Sequence, residues 1–123
     1  MFTAPLDLPE LLAQASPQPP SEIEGGTGIG HVHLKVADVP RADAFYRDEL
    51  GFQEMAQLPS AAFLAAGGYH HHIGLNSWQS AGAEAPPENA PGLREIAFTL
   101  DGAAPRELTD PDGNRLSFAP TPG

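Results

Sequence analysis

The five histidines are the residues of this chain best suited to chemistry. Three stand in a row in Gly67-Gly68-Tyr69-His70-His71-His72-Ile73-Gly74-Leu75-Asn76-Ser77-Trp78. The other two, His31 and His33, sit two apart in Gly30-His31-Val32-His33-Leu34-Lys35-Val36. In a β-strand, residues two apart share a face. Two short apolar strands could therefore turn His31, His33, His70 and His72 towards one cavity. Imidazole is the commonest transition-metal ligand and a usual acid–base group.

If Gly74 faces that cavity, strand alternation turns His70, His72, Asn76 and Trp78 the same way. Tyr69, His71, Ile73 and Leu75 then face an apolar back. On this reading His71 is a back-facing histidine, hydrogen-bonded beneath a helix. Asn76 and Trp78 are read as substrate contacts, with rim packing the plainer role for Trp78. Glu84 and Glu88 belong to a solvated loop.

The elements that must hold these groups follow from local pattern. Ile29 to Val36 alternates as a strand. Asp38 reads as a helix N-cap with Pro40 in the first turn, and the spacing predicts a helix over 39–50 stopped by Gly51. Phe52 to Ala56, Ala61 to Ala65 and Tyr69 to Trp78 follow as strands, the last being the longest. Ala81 to Pro91 is a Pro-rich acidic loop, and Leu93 to Leu100 is a strand by pattern. Asp110-Pro111-Asp112-Gly113-Asn114 is a strong turn signal, followed by a short strand from Arg115 to Ala119. Residues 1–27 read as a leader or linker, with a short helix near Leu6 to Ala13 capped by Asp7, and residues 28–120 as the domain proper.

Length sets one domain with a modest core. The 13 glycines and 14 prolines call for short elements and many turns, and the absence of cysteine rules out disulfides and thiolate sites. Sixteen acidic against six basic residues give a formal charge of −10, which argues against nucleic-acid or anionic-membrane surfaces. No apolar run approaches bilayer-spanning length, and the N-terminus lacks the pattern of a signal peptide. A cytoplasmic location is the expectation.

The order strand–helix–three strands, then strand, turn and strand, resembles the vicinal oxygen chelate superfamily. This superfamily holds glyoxalase I, bleomycin- and fosfomycin-resistance proteins and extradiol dioxygenases. The resemblance rests on Gly30 to Val39, Ala44-Phe45-Tyr46-Arg47-Asp48-Glu49-Leu50-Gly51-Phe52, Leu93 to Phe98, and Asp110 to Leu116. The segment from Tyr69 to Trp78, with the loop after it, is most similar to the C-terminal half of catechol 2,3-dioxygenase-like proteins. The implied fold is α+β: paired βαβββ modules forming a curled antiparallel sheet. Only about nine residues separate Leu100 from Asp110, so the second module is truncated.

The resemblance also implies a site. His31 falls on the first-strand ligand position of one module, and Glu95 on the matching position of the other, where many members carry histidine. Ser117 stands where metal-binding members usually carry glutamate, and Gly74 lies near the remaining position. The implied metal set is His31, His72 and Glu95, for Fe(II), Mn(II), Ni(II) or Zn(II). Two histidines and one carboxylate suit oxygen-activating Fe(II). His33 and His70 are then the candidate catalytic bases, and Ser117 joins Asn76 and Trp78 in contact with substrate.

Two functions remain open at this point. One is a divalent-metal-dependent dioxygenase acting on a small vicinal-oxygen substrate such as a catechol. The other needs no metal: a drug-sequestering module similar to bleomycin-resistance proteins, or a catalytically incomplete half of a two-domain protein. Both have a small-molecule ligand as partner. A half-open cup leaves strand edges and apolar surface uncovered, so a homodimer, or pairing with a separate N-terminal half, is expected. Light scattering should give at least twice the chain mass; a monomer at high concentration would contradict the homodimer.

Overall fold

The computed structural model describes residues 4–123, so the first three residues of the expected leader lie outside the described residues. A short helix α1 (Leu8–Gln14) precedes β1 (Val32–Lys35) and helix α2 (Val39–Asp48). Strands β2 (Gln53–Leu58), β3 (Ala61–Ala65) and β4 (Ile73–Asn76) complete the first module. The second consists of β5 (Glu95–Thr99), β6 (Arg106–Thr109) and β7 (Arg115–Ala119).

The first module forms a four-stranded sheet in the order β1-β4-β3-β2, and the second a three-stranded sheet in the order β5-β7-β6. The outer pair of each sheet, β1 with β4 and β5 with β7, is parallel; the other neighbours are antiparallel. The two orders match once one strand and the helix are removed from the second module. The truncation expected from the short Leu100–Asp110 interval is therefore real: the chain passes from β5 to β6 by a turn at Gly102 instead of through a helix.

Local chemistry accounts for α2. The Asp38 carboxylate accepts from the Arg41 backbone N–H at 3.0 Å, and Pro40 occupies the first turn, where its missing N–H costs nothing. At the other end the Gly51 N–H donates to the Arg47 carbonyl, with Gly51 at φ 75°. The helix turns Val39, Ala42 and Tyr46 onto the core with Leu34, Val36, Ala62, Leu64, Ile73 and Leu75 of the first sheet. Ile96 and Leu116 of the second sheet join the same cluster.

Two features depart from expectation. The strand over 69–78 shrinks to the four residues of β4, because Gly67 and Gly68 both take positive φ and the chain enters the sheet only at His72. There the His72 N–H donates to Leu64 O at 2.7 Å, and its carbonyl accepts from the Val32 N–H. Strand β6, too short and polar to stand out by pattern, forms because the Asp110–Asn114 turn folds it back on β7. Helix α1 starts after an Asp7 cap as expected, yet buries none of its residues; Leu8, Leu11 and Leu12 stay exposed.

A buried polar knot joins the two modules. The Tyr46 hydroxyl donates to Asp110 Oδ2 at 2.8 Å, and both residues are buried. Asp110 also accepts from the backbone N–H groups of Asp112 and Asn114 and from the Asn114 amide. Asp112 in turn accepts from the Ala37 N–H just before α2. Burial, and then the Asp110 carboxylate, push the Tyr46 phenol well above its ordinary pKa. Tyr46→Phe removes one hydrogen bond to a buried charge and should cost about 1.5–3 kcal/mol in urea unfolding. Asp110→Ala should cost more, since it strands four donors; equal midpoints for wild type and both variants would refute the knot.

Candidate metal centre

The parity of β1 sets the site. Leu34 and Val36 are buried against α2, so His31, His33 and Lys35 take the opposite face of the first sheet. His33 lies beside Gly74 of β4, and Gly74 lies beside Phe63 of β3. The three form one row across the sheet. A Cβ on Gly74 would sit 2.5–2.7 Å from three atoms of the His33 ring, so glycine is what lets that ring lie over the strand.

His71 closes over this row. Its ring centroid lies 5.3 Å from that of His33 and 5.1 Å from Phe63, and the two Nε2 atoms are 3.4 Å apart. His31 lies 4.5 Å from His71 and His70 lies 4.6 Å from it, between ring centroids. Four imidazoles thus gather at the N-terminal ends of β1 and β4. Among them, His31, His70 and His71 each present a nitrogen within 4.8 Å of the others. Nitrogens sharing one metal ion lie within about 4 Å, twice a ~2.1 Å bond, a spacing close to the one found here.

Strand alternation turned His71 to the back and His72 to the cavity. The backbone enters the strand ladder only at His72, so alternation does not extend to His71, and its ring joins His31 and His33. It is 7% exposed, and its Nδ1 is buried without a hydrogen-bond partner. Burial, and then the neighbouring imidazoles, lower the pKa of His71; burial, and then His31, lower that of His33. Both shifts favour the neutral ring, the form that carries a lone pair. The sequence signal for His71 was its place in the histidine run, masked by the assumption of a continuous strand.

The other expected residues are more dispersed. His72 Nδ1 accepts from the Ala66 N–H at 3.1 Å, so the ring proton of neutral His72 sits on Nε2. His72 and Glu95 line, with His31, a cavity of about 390 Å3 between the sheets, whose walls include Phe52, Ile73, Phe98 and Phe118. They do not converge with His31 as the His31–His70–His71 group does. The Ser117 hydroxyl donates to Oε1 of the exposed Glu95. Asn76 lies at the far end of β4, opposite Lys35, and Trp78 is 64% exposed; neither lines this cavity.

Comparison with known proteins agrees with this fold. A Catechol-2,3-dioxygenase of Bacillus subtilis (strain 168) is 45% identical over 121 residues, 97% of this chain. The chain spans only 41% of that relative's length. A lactoylglutathione lyase from Agrobacterium tumefaciens superposes with a TM-score of 0.52 at 21% identity, covering 82% of this chain and 94% of its own. The antibiotic binding protein TnmS3 from Streptomyces sp. CB03234 gives 0.52 at 21% identity, covering 78% and 97%. At such identities these two structures establish the fold alone. The sequence pattern of one family matches residues 28–103, the stretch that carries all five histidines and the first module entire, and the chain belongs to that family, the Glyoxalase/Bleomycin resistance protein/Dioxygenase superfamily.

Proposed function

We propose that this chain holds a divalent metal and, like the dioxygenase relative it matches, acts on a small substrate with two adjacent oxygens, of the catechol type. The observation that carries this reading is the convergence of His31, His70 and His71. The donor set fits a metal: three imidazoles, one of them with a buried nitrogen that no protein group satisfies. Bound there, the metal would serve as a Lewis acid and template for the substrate's oxygens.

The chain's own residues supply the rest. Phe52, Phe98 and Phe118 give the cavity an apolar wall for an aromatic ring, and His31 belongs to both cavity and cluster. His72, with its proton on Nε2, donates a hydrogen bond to a substrate oxygen. His70 moves from expected base to ligand. Glu95, engaged by Ser117, stays outside the donor set.

A second reading, a small-molecule binding module without chemistry, is favoured by that same Glu95–Ser117 contact, which leaves no carboxylate among the converging groups. One experiment separates the two. Untagged protein is analysed for metal, reconstituted with Fe(II) without air, and given catechol and then air. Ring cleavage yields a yellow product; no colour, with tight binding of an aromatic ligand, would select the binding module.

Metal at 100 times its dissociation constant should stabilise the fold by about 2.7 kcal/mol. His31→Ala should abolish this gain and Glu95→Ala should leave it intact; loss in Glu95→Ala would return the carboxylate to the donor set. Protons compete with metal for imidazole lone pairs, so uptake weakens as pH falls. The lowered pKa of His71 keeps that ligand neutral to more acidic pH than a free histidine. The rise in Tm should be full near about pH 7.5 and gone by about pH 5, on either side of the ordinary histidine value.

A further inference from the structure

His33 is the one imidazole of the cluster outside the converging group, and its surroundings are built around it. Gly74 leaves the space its ring occupies, and Phe63 meets the ring edge-on at 5.8 Å between centroids. Its Nε2 stands 3.4 Å from Nε2 of His71. Two neutral imidazoles in that contact must share one proton: one nitrogen donates and the other accepts.

The other nitrogen of His71 decides which. Nδ1 is buried and unpartnered. If it carried the proton, an N–H would be buried with nothing to accept it, the costlier of the two orphans. If Nε2 carries the proton, Nδ1 keeps only a lone pair. We propose that His33 is a positioning residue: it accepts the Nε2 proton of His71, fixes that tautomer, and so presents the His71 Nδ1 lone pair for coordination, with Gly74 as the cradle that lets His33 reach. This deepens the metal reading above and rests on it for its purpose, while the tautomer itself exists without metal. An imidazole acting as acceptor to a ligating histidine does the work more often done by a carboxylate or a backbone carbonyl.

The test uses histidine side-chain nitrogen NMR on the metal-free chain at about pH 8.5, well above the ordinary histidine pKa. His71 should appear with its proton on Nε2. His33→Ala should release it to a mixture of tautomers, and His33→Gln, whose amide oxygen can accept the same proton, should restore it. Gly74→Ala should displace the His33 ring and give the mixture with far-UV circular dichroism unchanged. In parallel, Zn(II) affinity by chelator competition should fall about 10–100-fold in His33→Ala and recover in His33→Gln. A proton on Nδ1 of His71 in the wild type, or an unchanged tautomer in His33→Ala, overturns the proposal. A tautomer that follows His33 in a chain that takes up no Zn(II) upholds the positioning and overturns the metal reading instead.

Discussion

The carboxylate of Asp110 is the point on which the arrangement of the two sheets depends. A complete second module would carry its own helix to cover its sheet. Here that helix is gone, and Ile96 and Leu116 bury themselves against the core of the first module. Apolar contact alone has little directional preference. The hydrogen bond from Tyr46 to Asp110, and that from Ala37 to Asp112, supply the direction, pinning the turn before β7 to the last turn of α2 and to the chain just before its start. The Arg41–Asp112 pair at 4.0 Å, with Arg41 more than half exposed, adds little. An aromatic chain of Tyr46, Phe52, Phe98 and Phe118 then runs from the helix into the second sheet, and its three phenylalanines form one wall of the cavity. The structural tie and the ligand space thus meet at Phe52, whose ring packs edge-on against Tyr46 and also lines the cavity.

Most of this was legible where local chemistry and long-range packing agree. Asp38, Pro40 and Gly51 define α2 by capping, backbone geometry and a positive φ, and the folded helix follows them within two residues. The strand of His31 and His33 is set by Leu34 and Val36, whose burial leaves one face for the histidines. The site was less legible because one residue of phase reverses a side chain. The run from Tyr69 to Trp78 reads as continuous strand by composition, yet Gly67 and Gly68 bend the chain so that the ladder begins at His72. His71 therefore escapes the alternation that Ile73 and Leu75 obey, and only tertiary contact with His33 and Phe63 shows where it points.

Glycine at position 74 links these levels. Within a strand it adds no packing and costs backbone entropy, so it weakens β4. The strand tolerates it because Ile73 and Leu75 on either side are fully buried and fix the register. The space gained is filled by an imidazole. A stable core next to a position that gives up local stability is how a small domain places polar groups on an otherwise apolar sheet.

The donor set carries its own chemical consequence. Glu95, the one carboxylate expected among the ligands, is held by Ser117 on the second sheet, while the converging groups are all imidazoles. Neutral imidazoles leave a divalent ion its full charge, whereas a carboxylate would cancel part of it. A site of this kind polarises a bound oxygen more strongly and suits Zn(II) as readily as Fe(II). The chain's formal charge of −10 draws cations towards a cluster with no anion of its own. Long-range attraction then comes from the surface and short-range selection from the imidazoles. In the metal reading proposed above, an all-imidazole set would therefore change which metal is favoured while leaving three nitrogens to hold it.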